Sequence, residues 1–171
     1  YAALPLAGHA AVDATVRCAV LCWPVIDPLG RYQYAKEQQA GGDAKMMKSA
    51  DEWVACHDKY WGSKEAMAEG NPARALERGE KVHMPPVLYL QGTADVAHPK
   101  QHRDQFIASY RKAGGRVDLH LFDDVGEAFI TNDPSSQQAR EAAQMLLDED
   151  PQAARRHVER WLASRHEFSR A

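Results

Sequence analysis

Residues 85–95, which read PPVLYLQGTAD, form the strongest local signal in the chain. The apolar run from Val87 to Leu90 follows two prolines and leads to Gly92, a pattern that predicts a buried strand ending in a tight turn. Asp95 lies just past the carboxyl end of this strand, where open α/β sheets bind ligands. A carboxylate at this position can orient a catalytic histidine and stabilise its charged form. The alternative is that Asp95 only caps the following turn.

Two more strands are predicted on either side of this one. Residues 17–26 (RCAVLCWPVI) are almost continuously apolar, and residues 116–122 (RVDLHLF) alternate between apolar and polar. A helix is predicted from Pro99 to about Ala113, and two further helices after residue 133. This order is typical of an α/β protein, and right-handed crossovers would make the three strands parallel neighbours.

The segment from residue 31 to residue 82 differs in composition from the strands around it. It is rich in Lys, Gln, Glu, Met and Gly and carries helical patterns near residues 44–61 and 64–69. We interpret it as a helical excursion or lid, with Trp53, Tyr60 and Trp61 as apolar anchors. A solvated helical connection without a functional role is an equal alternative.

Composition restricts the class of protein. The 171 residues, with 44% hydrophobic residues and a net charge of −3, suit one domain with no polyanion-binding surface, so no nucleic-acid partner is expected. No apolar run is long enough to span a membrane, and no membrane partner is expected. The three cysteines are odd in number, and their spacing predicts neither a disulfide framework nor a zinc site. Cys18 and Cys22 are predicted to be core residues, and no cofactor is expected.

The predicted sheet needs more polypeptide than the chain supplies. Three parallel strands leave one edge open and are too few for a stable sheet. The chain also begins at Tyr1, within a small apolar stretch that suits a buried helix. We therefore expect an amino-terminal segment or a companion chain to complete the sheet.

The segment that ends at Asp95 resembles the acid-bearing strand of α/β-hydrolases, in their esterase, dienelactone-hydrolase and prolyl-oligopeptidase-like branch. Three flanking stretches resemble the same family in order and spacing: residues 22–28 (CWPVIDP), 70–76 (GNPARAL) and 112–117 (KAGGRV). The resemblance extends from Tyr1 to about Trp161. It implies that residues 1–171 are the carboxyl-terminal part of a single α/β-hydrolase domain, with residues 31–82 as an excursion within it.

The resemblance also implies an activity. The family hydrolyses ester or related acyl bonds through an acyl-enzyme on a nucleophile in a Gly-x-Ser-x-Gly turn, which would lie upstream of residue 1. Asp95 would be the triad acid, and residues 31–82 would cover the pocket for a small-molecule acyl substrate.

Glu127 departs from the family pattern. Residues 124–130 (DVGEAFI) correspond to the family's Gly-x-Gly-His-Gly-Phe loop, and Glu127 takes the place of the histidine. A glutamate is a poor base toward a serine hydroxyl because its reference pKa is about 4.3. Three outcomes remain open: lost hydrolase activity with a binding role, a different chemistry for Glu127, or substitution by another histidine.

The substitute histidines have weak signals. His98 and His102 lie near Asp95 and could also form a metal site with it, but they are predicted to be ordinary surface residues. His120, inside the last strand, is predicted to pack under a helix. A free-standing flavodoxin-like domain is disfavoured because no phosphate-binding loop follows either of the first two strands.

Overall fold

Three parallel strands form the sheet, as the sequence predicts. The computed structural model describes residue 16, residues 18–145 and the backbone of residues 146–149. The sheet order is β1-β2-β3, and Val87 is in register with both Ala19 and Val117. The strands are β1 (Ala19–Cys22), β2 (Val87–Gly92) and β3 (Val117–Phe122). The helices predicted near Tyr1 and after Asp150 lie outside the described residues.

Four helices lie between β1 and β2, in the predicted excursion. Each begins with a side chain that accepts a hydrogen bond from a backbone N–H of the first turn, an arrangement that stabilises a helix by about 1 kcal/mol. The capping residues are Asp27, Asp43, Ser63 and Asn71. The helices are α1 (Pro28–Gly41), α2 (Ala44–Trp61), α3 (Lys64–Glu69) and α4 (Pro72–Glu77).

The excursion has a small hydrophobic core of its own. Trp53 and Trp61 pack against this core, as predicted, but Tyr60 is 72% exposed and the prediction that it is an anchor is wrong. Tyr60 is the second-last residue of α2, and the buried residues of this helix are Ala50, Val54 and His57. The core residues are Tyr32, Ala35, Ala50, Val54 and Met67.

The main core lies between the sheet and α5 (Lys100–Lys112). Tyr89 of β2 contacts Phe106 of α5, and the Phe106 ring lies 5.4 Å from the ring of Tyr110. The Tyr110 hydroxyl donates a 2.6 Å hydrogen bond to the carbonyl oxygen of Pro85, and burial raises its pKa to about 12. This packing fixes α5 against β2, and with it the loop that joins them.

Two predictions about the strands are wrong. Cys18 and Cys22 are half-buried, not core residues, because β1 pairs on one side only among the described strands. His120 is exposed, so the prediction that it packs under a helix is wrong, and Leu121 beside it is 44% exposed. β3 is likewise paired on one side only among these strands, so the carboxyl half of the strand has less cover than its alternating pattern suggests.

The chain divides after Glu127 into two compact units, and the sheet and excursion belong to the first. The second contains α6 (Phe129–Asn132) and α7 (Gln137–Glu149), which pack against each other. The helix predicted after residue 133 is thus confirmed. Within the described part of the chain, none of the helices has the length and apolar character needed to span a membrane.

Candidate active site

Two loops at the carboxyl edge of the sheet are joined by hydrogen bonds. We call residues 93–99, after β2, the acid loop, and residues 123–127, after β3, the glutamate loop. The backbone N–H of Ala94 donates to the carbonyl oxygen of Val125 at 3.0 Å, and the N–H of Asp124 donates to Thr93 Oγ1 at 3.0 Å. These two hydrogen bonds fix the position of the two loops relative to each other.

Gly92 permits this close approach. A Cβ atom at this position would lie 2.0 Å from the carbonyl oxygen of Val125. Any side chain would therefore separate the end of β2 from the glutamate loop. This contact explains the glycine in the Gly-Thr-x-Asp segment of the sequence.

Asp95 is held by four hydrogen-bond donors. Its side chain is fully buried. Oδ1 accepts from the backbone N–H groups of Ala97 (2.9 Å) and His98 (3.1 Å), while Gln91 Nε2 donates to Oδ2 at 3.3 Å. His98 Nδ1 lies 3.0 Å from Oδ2. Asp95 thus caps its turn and also binds an imidazole, so the two interpretations of the sequence are compatible.

Hydrogen bonds outweigh burial in setting the pKa of Asp95. Burial alone would raise this pKa, but the hydrogen bond and charge of His98, together with the N–H groups of Ala97 and His98, lower it below its ordinary value. Asp95 is therefore ionised at neutral pH and accepts from all four donors.

His98 is buried, contrary to prediction. It is 8% exposed because the Asp95 turn brings its ring back over the carboxylate, and its carbonyl oxygen accepts a 2.8 Å hydrogen bond from Gln91 Nε2. The expectation that His98 is a surface residue is wrong. His102, one turn along α5, is half-buried, and burial lowers its pKa while the charge of Asp27 opposes the shift.

Glu127 lies beside the Asp95–His98 pair. Its Oε2 is 3.8 Å from His98 Nδ1, and its side chain is 47% exposed. One donor atom from each of the three residues lies within 4.8 Å of the others. The structure therefore brings the two carboxylates named from the sequence to one point and adds an imidazole between them.

A divalent cation would fit the spacing of these three side chains but not their bonding. His98 Nδ1 would have to lose its proton and its bond to Asp95 before it could coordinate a metal. We therefore describe the cluster as a hydrogen-bonded acid–imidazole pair with a second carboxylate beside it.

Arg31 connects the excursion to this cluster. It projects from α1, is 9% exposed, and donates from Nε to the carbonyl oxygen of Ala97 at 2.8 Å. Its guanidinium also lies over the Trp53 ring, 5.1 Å from the ring centre. Burial lowers the pKa of Arg31, while the charges of Glu127 and Asp95 oppose the shift. Arg31 thus supplies positive charge near the two carboxylates.

Arg31 and Gln91 contribute to the site but are not among the site residues predicted from the sequence. Gln91 is 2% exposed and is the polar residue at the end of an otherwise apolar strand, a signal that points to a buried polar contact. Arg31 has no comparable signal, because its role depends on how α1 packs against the acid loop.

A cavity of about 10 Å³, room for about one water molecule, separates His98 and Arg31 from the residues that follow β1.

The lowered pKa of Asp95 predicts a loss of stability in acid. The ionised side chain stabilises the fold above its unfolded pKa of about 3.9, and this contribution disappears as the pH falls through the lower folded value. We expect the difference in unfolding free energy between the wild type and Asp95→Asn to shrink as the pH falls below about 4. Urea unfolding at several pH values measures it. An unchanged difference at about pH 2 would show that these bonds do not stabilise the fold.

Comparisons with known proteins agree with this architecture. The sequence model of the dienelactone hydrolase family matches residues 41–164. An inhibited esterase B from Lactobacillus rhamnosis is 16% identical, with a TM-score of 0.55 over 89% of this chain and 45% of that chain. A Pyrobaculum calidifontis esterase is 18% identical, with a TM-score of 0.54 over 81% and 44% of the two chains. The comparison with curated proteins gave no match.

These likenesses show the α/β-hydrolase fold. The three strands, the helical excursion and α5 are therefore part of such a fold, as the sequence predicts. This chain spans less than half the length of the two esterases that it matches.

Proposed function

The chain belongs to the dienelactone hydrolase family, and from this premise we propose that the complete protein hydrolyses an ester or related acyl bond. The nucleophile is a serine on a segment upstream of residue 1, and the reaction passes through an acyl-enzyme. Asp95 is the acid of the site, and Glu127 lies in the position that the family gives to the base.

One observation carries this proposal: the Asp95–His98 pair at the carboxyl edge of a parallel sheet. A buried carboxylate on Nδ1 favours the tautomer that carries its proton there, and it stabilises the imidazolium that forms during acyl transfer. A carboxylate with only a structural role does not require a buried imidazole as its partner.

The missing partner of the site is an amino-terminal segment that pairs with β1. This strand pairs only with β2 among the described strands, and Val20 on it is 36% exposed. Beside it lies a groove of about 300 Å³, lined by Leu21 and by residues of α3 and α4. A strand added at this edge would bring its carboxyl end, and a nucleophile placed there, to the edge that carries Asp95.

The excursion covers the acyl pocket in this proposal. α1 contacts the acid loop through Arg31, so a change in the position of the excursion acts directly on the residues around Asp95. A small-molecule acyl substrate is the expected class, as the resemblance to the family implies.

A binding protein without catalytic activity is the second candidate, and Glu127 is the observation that favours it. A carboxylate in the family's histidine position removes the usual base. Such a protein would keep the fold and bind a ligand at the same edge.

Labelling with a fluorophosphonate probe tests the proposal. The complete protein is incubated with the probe and digested, and the labelled peptide is identified by mass spectrometry. We expect one labelled serine, on a peptide upstream of residue 1. Absence of labelling in folded protein, with unfolding followed in the same sample, would contradict the proposed hydrolase and favour the binding role.

A further inference from the structure

We propose that His98, and not Glu127, is the general base of this site. The inference rests on the proposed acyl hydrolysis and deepens it, because it moves the base from the loop after β3 to the loop after β2. It starts from the bonding of the imidazole, which differs at its two nitrogens.

The two nitrogens of His98 have different surroundings. Nδ1 lies 3.0 Å and 3.2 Å from the two oxygens of Asp95. An ionised carboxylate only accepts hydrogen bonds, so Nδ1 carries the proton and Nε2 is left with a lone pair. No residue in the described part of the chain makes a hydrogen bond to Nε2. An imidazole fixed in this tautomer is ready to accept a proton.

Two side chains from outside the acid loop hold this imidazole and its backbone in place. Gln91 Nε2 binds both Asp95 Oδ2 and the carbonyl oxygen of His98. Arg31 binds the carbonyl oxygen of Ala97, the residue before the histidine. These contacts fix the ring and its backbone without using Nε2, as a base that must meet a substrate group requires.

Glu127 lacks comparable support. Its side chain is 47% exposed, and its distance of 3.8 Å from His98 Nδ1 is too long for a hydrogen bond. A solvated carboxylate is a weak base toward a hydroxyl at neutral pH. Glu127 instead adds negative charge beside the imidazole, which favours the imidazolium that forms when His98 takes a proton.

The step is conventional acyl transfer. His98 Nε2 takes the proton of the serine hydroxyl as the serine oxygen bonds to the acyl carbon. The imidazolium then gives this proton to the leaving alkoxide as the carbon–oxygen bond breaks, so an alcohol departs and an acyl-serine remains. Water repeats the sequence in the second half and releases the acid and free serine.

Kinetics of variants of the complete protein test this assignment. Hydrolysis of p-nitrophenyl acetate is measured for the wild type, His98→Ala, His98→Asn, Glu127→Gln and the control His102→Ala, and each variant's thermal unfolding is recorded. We expect both His98 variants to lose about 10³-fold or more in kcat/KM, Glu127→Gln less than about tenfold, and His102→Ala almost nothing. His98→Asn retains a donor toward Asp95, so it controls for collapse of the loop.

A further readout separates a base from a structural residue. Added imidazole is expected to restore activity to His98→Ala.

The outcomes distinguish a failure of this inference from a failure of the proposed acyl hydrolysis on which it rests. A wild type that neither hydrolyses the ester nor reacts with fluorophosphonate overturns the proposed hydrolase itself. An active wild type in which Glu127→Gln loses as much as His98→Ala, or in which a folded His98→Ala keeps its rate, overturns only the assignment of His98.

Discussion

Asp95→Asn is expected to lower kcat/KM for an activated ester by about 10³- to 10⁴-fold in the complete protein. The ionised carboxylate fixes the proton of His98 on Nδ1. An asparagine can turn its NH₂ group toward that nitrogen, which favours the opposite tautomer and places the proton on Nε2. The imidazole then no longer accepts a proton from the nucleophile. Steady-state hydrolysis of p-nitrophenyl acetate measures the loss.

The structure offers a control for this variant. Asp123→Asn makes the same chemical change on the glutamate loop, where the side chain is exposed, and we expect it to leave the rate within about twofold of wild type. Asparagine at position 95 also turns an N–H group toward Gln91 Nε2, which is a donor. Some loss of stability is therefore expected, and activity is compared at a temperature where both variants are folded. An active Asp95→Asn would remove this carboxylate from the site.

The strands and their parallel order are predictable from sequence because they depend on short-range patterns. Residues 87–90 are buried, and their continuous apolar run predicts this burial directly. The position of Asp95 follows, because a residue just after a parallel strand must lie at the carboxyl edge. Glu127 is placed by the same argument applied to β3.

The sequence spacing is sufficient to predict that His98 contacts Asp95, but it does not predict that His98 is buried. An aspartate that accepts from the N–H groups two and three residues later is a common turn, and Asp95 to His98 has that spacing. The proline at position 99 suggests an exposed helix start, and this suggestion is misleading. The burial of His98 depends on contacts of the acid loop with Arg31, which is distant in sequence. It also depends on Gln91, whose polar contact at the end of β2 was not predicted.

The exposure of residues on β3, at the edge of the described sheet, is the other feature that the hydropathy pattern does not predict. Leu121 and His120 alternate as strand residues should, yet both are exposed. Periodicity assigns residues to faces but does not say how much of each face is covered. The coverage depends on segments whose packing the local sequence does not encode.

Gly92→Ala is expected to destabilise the protein by about 2 to 3 kcal/mol, because the new methyl group would meet backbone, which cannot rotate away. The Cβ would lie 2.0 Å from the Val125 carbonyl oxygen and 2.9 Å from that of Gly126. The glutamate loop must move outward, which lengthens the bond from Ala94 to Val125 and carries Glu127 away from His98. Gly41→Ala is the matched control, since nothing lies within 4 Å of its Cβ position, and it is expected to change stability by less than about 1 kcal/mol.

Urea unfolding of both variants measures the difference in stability. The same change has a consequence for the site, because Gly92 allows the backbones of the two loops to touch. If His98 is the base, Gly92→Ala keeps the Asp95–His98 pair, which lies within the acid loop, and a folded Gly92→Ala protein retains most of its rate. If Glu127 is the base, the outward shift of the glutamate loop removes the reacting group and the rate falls with it. A stable Gly92→Ala protein, equal to Gly41→Ala, would instead show that the close approach of the two loops is absent.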